Sequence, residues 1–393
     1  ATFDFPGVML EWQANTLNAT DGLTNLGGFS IVTGNDRSLI GTLNNQGTIV
    51  QAGHRLFLAV GATINNQSGG TYELQSGQLT YSGGSASTRR FNNSGTFAKT
   101  TANQADVVVT YSNTGGTLDL REGNLPFHGS FTQSSGATVL NGGSLSGPAA
   151  LNFTGGSITG AGAINGNVTN GGTLAPGRPP GTPTGTIQIN GHYTQTASGI
   201  LRLELGGPVA GDNFDVLNVS GTATLDGTLV VDLINNFEPA QGLSFDVMNF
   251  GSRSGDFATN IGLEPGGGIA FDKSFSATKL TLQTVSGPTN LPPIAEDDTA
   301  TTAEEKPVEI DVLANDRDPD PLDQIFVASF SQPQNGQLED LGNGKFRYTP
   351  KLDFLGEDSF TYIVSDNHGG QRLATVTITV TPVDVPPVAS AQS

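Results

Sequence analysis

The stretches LNNQGTI at residues 43–49, INNQSGGTY at 64–72 and FNNSGTF at 91–97 repeat one phrase three times: an apolar residue, an Asn pair, a polar spacer, Gly, Thr and a second apolar residue. YSNTGGTL at 111–118 and VTNGGTL at 168–174 keep the phrase with a single Asn, and FTQSSGATV at 131–139 is a looser copy. The Thr of the phrase falls at 48, 71, 96, 117, 138 and 173, and the degenerate GGSLSG and GGSITG occupy the last, longest gap. The period is therefore about 20 residues. A unit of that size cannot bury its own apolar face. Two or three short strands per unit, turned at Gly and Asn, can stack on identical neighbours and build one continuous core. This predicts a parallel β-helix over residues 21–190, with about eight coils and, at about 4.8 Å per coil, a length of about 40 Å. Glycine is expected at its corners, where positive φ is needed. The recurrent Asn admits two readings, an internal ladder of stacked amides or an exposed sugar-binding row. The ladder is the expected one, because stacked amides satisfy one another and tolerate turn geometry.

Composition points the same way. The chain has 393 residues, 54 Gly and no Cys, so neither disulfides nor thiolate metal sites stabilise it. Only 13% of residues are charged, yet 35% are hydrophobic, too many for simple disorder. No stretch carries a 3.6-residue apolar period, whereas Thr, Val, Ile, Phe and Leu alternate with Asn, Ser and Gly throughout, and the fold class is all-β. No apolar run reaches the length of a membrane span. The chain starts at Ala1 without Met, which fits removal of a leader and a secreted or cell-surface protein. Net charge is −19, divided as −7 over residues 1–290 and −12 over 291–393. A field of that sign repels phosphate backbones, excluding nucleic acid as a partner, and attracts divalent cations.

Residues 1–20 stand apart. ATFDFPGVMLEWQ at 1–13 holds the only Trp in a dense apolar run. It reads either as a cap closing the open end of the solenoid or as a strand that docks on another subunit. Enzymatic readings find little support. Asp106, Asp119, Arg121 and Glu122 are the candidates for a polysaccharide-acting face, but paired carboxylates do not recur at coil spacing. His54, His128, His192 and His368 lie far apart and show no metal-ligand spacing.

From about 164 to 285 the sequence resembles the end of the passenger region of bacterial autotransporter-like surface proteins. The resemblance is carried by INGNVTNGGTLAPG (164–177), INGHYTQTASGILRLELGG (189–207) and DNFDVLNVSGTATLDGTLVVDL (212–233). It implies that residues 191–287 form a β-rich cap on the β-helix. SGPTNLPP then places a linker at 288–293. Beyond it, PPIAEDDTATTAEEKPVEIDVLANDRDPDP, GKFRYTPKLDFLGEDSFTYIVSDNHGG and ATVTITVTPVDVPPVA resemble the cadherin-like, immunoglobulin-fold repeat of large bacterial adhesins, implying a β-sandwich over 294–388. The last residues, 389–393, resemble the start of a following linker or repeat.

The second resemblance implies calcium near the domain junctions. The acids at the matching places are Asp297, Asp298, Asp316, Asp318, Asp320, Asp358, Asp366 and Asp384. Calcium takes six to eight oxygens from flexible donors, and alternating Asp-x-Asp-x-Asp can turn several carboxylates onto one ion. The family's Asp-Pro-Asp-Gly-Asp-Pro is altered here, with Asp323 following Pro321-Leu322. The reading is thus a calcium-stiffened, extracellular bacterial structural or adhesive protein, without catalytic activity, binding a glycan or protein of undefined identity. A head-to-tail self-assembling filament subunit is the alternative and a polysaccharide-acting β-helix enzyme a lesser one.

Overall fold

The computed structural model describes residues 2–3, 9–11, 16–31, 35–81, 83–84, 86–147, 150–177, 184–287, 290–320 and 323–382. Strands dominate, and a short 3-10 turn at Ala86–Thr88 interrupts them. Most belong to one 27-stranded sheet wound into a parallel solenoid, followed by a sandwich of a four-stranded and a three-stranded sheet.

The phrase sets the register. Gly28, Thr48, Thr71, Thr96, Thr117, Ala137, Ser157, Thr173, Ile200, Thr228 and Thr259 pair in succession, each in parallel with the next. Two expectations change. The copy at 131–139 enters the row through Ala137, so Thr138 turns inward and donates to Gln133 Oε1 at 2.8 Å. Parallel pairing also runs on past residue 190 as far as Ile261, so the coils exceed the eight expected and the stretch after 190 is largely solenoid. Closure comes from antiparallel pairing of Lys279–Ser286 with Ser244–Gly255 and with Ile269–Phe275. An antiparallel hairpin there hides the last edge that could template another chain.

Alternation explains the core. The residues after row positions Thr48, Thr71, Thr96, Thr117 and Thr173, namely Ile49, Tyr72, Phe97, Leu118 and Leu174, point inward and are fully buried. Aromatic side chains stack along the interior, with Phe91, Tyr111 and Phe131 successive at 5.8 and 5.5 Å between centroids. A second interior row is polar. Asn25, Asn45, Asn66, Asn93, Asn113 and Gln133 are all buried, and each Nδ2 donates to the next amide oxygen at 2.6, 2.7, 2.8, 3.0 and 3.2 Å in turn. Each amide also donates to a carbonyl one coil on, as Asn66 does to Thr96 at 2.9 Å. Phe153 takes the next place and ends the ladder, which resumes as Asn170, the Tyr193 hydroxyl and Gln195. The first Asn of each pair forms a shallower row, with Asn65 donating to Asn44 and Asn92 to Asn65.

The glycine before each Thr serves packing more than turn geometry. At Gly95, whose φ is negative, a Cβ would stand 2.2 Å from the carbonyl oxygen of Gly70 in the neighbouring coil. The corner expectation is corrected there: the coils approach too closely for any side chain.

In the sandwich, Asp298–Ala303, Gln371–Thr381, Gly356–Ser365 and Phe326–Phe330 form one sheet, and Val308–Asp311, Lys345–Pro350 and Gly336–Gly342 the other. Ile310, Val312, Phe346, Tyr348, Phe360, Tyr362, Val376 and Ile378 fill the space between. The sandwich does not project from the end of the rod. Its outer face lies against the solenoid flank, where Leu373 and Ile363 cover Ile200, Val230 and Ile261. Gly115 of the solenoid meets the sandwich backbone, and a Cβ there would stand 2.7 Å from Glu357 N. Within the expected linker, Pro292 and Pro293 are buried, so the described part of that segment is packed. Of residues 1–20, residues 1, 4–8 and 12–15 fall outside the described residues. The pieces present pair in parallel onto the first coils, Met9–Glu11 with Gly28–Ser30 and Thr2–Phe3 with Thr24–Asn25.

Candidate cation site and the solenoid junction

The expected calcium ligands separate into distinct environments. Asp318, Asp323 and Asp366 each bring a carboxylate oxygen to a common point, all within 4.8 Å of one another. The sandwich pole places them: Asp366 follows the end of the Gly356–Ser365 strand, while Asp318 and Asp323 lie in the loop after the Val308–Asp311 strand. Asp366 is buried and fixed, accepting from His368 N at 2.7 Å, Gly370 N at 3.0 Å and Asn290 Nδ2 at 2.9 Å. Asp323 Oδ2 faces His368 Nδ1 at 2.8 Å. Asp318 Oδ1 accepts from Asp320 N at 2.8 Å, while its Oδ2 is buried with no hydrogen-bond partner. Burial, followed by the charges of Asp366, Asp323 and Asp320, raises the Asp318 pKa. An orphaned carboxylate oxygen beside two more carboxylates suits a hard cation, since an uncompensated buried charge is costly. Asp320 sits beside the trio and uses Oδ2 to hold Leu291 N at 2.8 Å, tying down the chain that enters the sandwich.

Asp298 and Asp316 do something else. Their Oδ2 atoms lie 2.9 and 3.1 Å from the buried Tyr362 hydroxyl, which also reaches Val312 O at 2.7 Å. One O–H proton cannot serve all of these acceptors at once, so the hydroxyl is shared among them. Burial, opposed by the Tyr362 hydrogen bond, pushes the Asp298 pKa up to about 6, and burial raises Asp316 as well. Asp297 is exposed and accepts from Thr375 N at 2.8 Å. Asp358 lies at the opposite pole, near the start of the strand that Asp366 follows. It is buried and accepts from Gln334 N, Asn335 N, Ser359 N and the Tyr348 hydroxyl, leaving it no place in the trio. It braces the loop whose Asn335 Nδ2 donates to Ser135 Oγ of the solenoid at 3.0 Å. Asp384 lies outside the described residues.

The solenoid candidates occupy local pairs. Asp106 accepts from Gln78 Nε2 at 2.8 Å and faces His128 Nε2 at 3.2 Å, and Asp119 holds Arg121 at 2.6 Å. His192 Nδ1 accepts from Thr222 N. Two carboxylates were missed. Asp215 is fully buried, clasps Gly185 N at 2.8 Å and Glu204 N at 2.9 Å, and is pushed up to about 8 by burial. Glu204, also buried, is pushed up to about 7 by burial, and its Oε2 has no hydrogen-bond partner. The available signal was ILRLELG at 200–206, where an outward Arg and Glu alternate with inward Leu on a strand apolar at both ends.

The architecture is thus that of an all-β protein, a parallel β-helix carrying an immunoglobulin-like sandwich. Residues 290–379 match the bacterial Ig domain family. Protein GAMETE EXPRESSED 2 of Arabidopsis thaliana is 39% identical over 88 residues, covering 22% of this chain and 9% of that protein. The chain therefore spans less than a tenth of that relative. Two solved endo-fucoidan hydrolases of glycoside hydrolase family 107 align at 14% identity. One covers 31% of this chain and 24% of its own with a TM-score of 0.18, and the other covers 29% and 26% with 0.16. At those scores they carry no argument. No described helix is long and apolar enough to cross a membrane.

Proposed function

We propose that this chain is a structural and adhesive element of an extracellular bacterial surface protein, a stiff β-helix with a calcium-bound immunoglobulin-like module held against its side. The observation that carries the reading is the joining of a bacterial Ig domain to a rod whose interior is locked by a hydrogen-bonded amide ladder. Such a rod resists bending, because each coil is tied to the next by backbone pairing and runs of coils are tied by aromatic and amide contacts as well. Asp318, Asp323 and Asp366 would hold the calcium ion, which would neutralise the charge that their convergence concentrates.

Thermal unfolding of the full chain with calcium and with chelator tests the ion. A ligand bound only by the folded state raises its stability by about 2.7 kcal/mol at a hundredfold excess over Kd, so the sandwich transition should rise with calcium. Asp323→Asn should abolish that rise. An unmoved transition refutes the calcium assignment. Retention of the calcium-loaded chain on immobilised polysaccharides and matrix proteins tests adhesion, and failure to bind any of them while releasing sugar from one would overturn the adhesive reading.

A further inference from the structure

The docking of the sandwich leaves a slot of about 310 Å³ between the two domains. Its floor is the outward face of the solenoid at Ser157, Thr159 and Thr173, and its roof is the outer face of the sandwich at Ser359, Thr361 and Thr377. Hydroxyls thus face it from both sheets. Glu204 lines the same space, only 7% exposed, with Oε2 lacking any hydrogen-bond partner. A buried acceptor left unsatisfied costs about 1–3 kcal/mol, more when charged, and a donor inside the slot would remove that cost.

The remaining charges set the sign of the ligand. Arg202 is the basic residue lining the slot, and its Nε is engaged by Asp232 at 2.7 Å. Asp358 is saturated by backbone N–H groups and the Tyr348 hydroxyl, and Asp297 holds Thr375 N through one oxygen. Glu357, raised by burial, adds another carboxyl. Lined by four acids and one arginine already paired, the slot favours a cation. Its volume falls at the small end of ligand pockets, and its walls set hydroxyls beside apolar surface at Ala137, Ala175 and Pro176, which suits a guest with a carbon frame that also carries hydroxyls.

We propose that the slot between solenoid and sandwich binds a small hydroxylated primary ammonium ion, of the amino-sugar or amino-alcohol class, with Glu204 accepting from the ammonium group. This does not depend on the calcium site, whose carboxylates lie at the sandwich pole and do not line the slot.

Titration calorimetry of the full chain with glucosamine, ethanolamine and, as neutral control, glucose tests it. At least one ammonium compound should bind, with glucose about tenfold weaker or worse. The tighter of the two ammonium compounds identifies the source class. Glu204→Gln keeps the size and removes the charge; Ser157→Tyr fills the slot from its floor and leaves the buried carboxylates alone. Each should weaken binding by about tenfold or more, so one stays informative if the other fails to fold. Absence of binding by both ammonium compounds, equal affinity for glucose, or undiminished affinity in a folded variant overturns the proposal.

Discussion

Truncating Asn66 at the middle of the interior ladder should be among the most destabilising single changes in the solenoid. Its Oδ1 accepts from Asn45 Nδ2 at 2.7 Å, and its Nδ2 donates to Asn93 Oδ1 at 2.8 Å and to Thr96 O at 2.9 Å. In Asn66→Ala the Asn45 Nδ2 keeps only Thr71 O, at 3.0 Å, and the Asn93 oxygen loses the donor on this side. Each buried polar group left unsatisfied costs about 1–3 kcal/mol, and the vacated volume adds to that, giving about 3–5 kcal/mol in all. Asn66→Asp should be worse near neutral pH, because a carboxylate cannot donate and would set like charge density against Asn93 Oδ1 and Thr96 O. Asn65→Ala supplies the contrast. Asn65 makes two amide contacts of similar length, at 2.8 and 2.9 Å, but is only half-buried, so water replaces them at a cost of about 0.5–1.5 kcal/mol. Urea unfolding of the full chain followed by circular dichroism reads the difference. If Asn66→Ala and Asn65→Ala fall within about 0.5 kcal/mol of each other, or Asn66→Asp is no worse than Asn66→Ala, the ladder is not a stabilising network.

Other consequences follow from the same structure. Asp215 and Glu204 have folded-state pKa values raised by burial to about 8 and about 7. For acids raised in the folded state, the stability they contribute is fully present below their unfolded values and is lost as pH rises through the folded ones. Solenoid stability should therefore fall between about pH 4 and pH 8, and Asp215→Asn should flatten that slope in a pH series of thermal melts. Gly136→Ala puts a Cβ 2.1 Å from Gly116 O at a φ of +75°, so a loss of several kcal/mol is expected; soluble expression with an unchanged melting temperature would contradict the coil spacing. Leu373→Asp places a charge against Ile200, Val230 and Ile261 and should release the sandwich from the flank, seen as a larger radius of gyration in solution scattering with both domains still folded.

The solenoid was legible because its own sequence repeats the instruction. Any one phrase is ambiguous, but an Asn, a Gly and an apolar residue at constant offsets can satisfy only a stacked arrangement. The misplacement of Thr138 arose from that same pattern: Thr serves inside or outside, and only the partner Gln133 Oε1 tells which. The fate of the acids was harder to read. Asp298, Asp316 and Asp358 carry the same side chain as Asp318 and Asp366, and what divides them is a buried tyrosine hydroxyl or a row of backbone N–H groups supplied from elsewhere in the chain. Spacing places a carboxylate in a loop; it does not say which donors will already have claimed it. Asp323 shows the converse, since its departure from the family's spacing still brings it to the trio.

The side-on seat of the sandwich is the least local feature, yet its trace lies in the chain. In the outward row, Thr48, Thr71, Thr96, Thr117 and Thr173 give way at the next coil to Ile200, and the outward Val230 pairs with Ile261. Strands apolar on both faces in an otherwise half-polar solenoid need cover on the second face, for the same reason that strands buried on both sides read as continuous apolar runs. The cover is Leu373 and Ile363, neighbours on the outer face of a sandwich sheet that would ordinarily meet water. Each patch alone would be an exposed apolar defect, and together they fix where the domain sits. The hydrogen bond from Asn335 to Ser135 and the close approach of the Glu357 backbone to Gly115 then set its rotation. A sandwich held at both its apolar patch and its polar corner is part of the rod's wall, so load applied to the sandwich is carried by the solenoid flank as well as by the segment at 287–293.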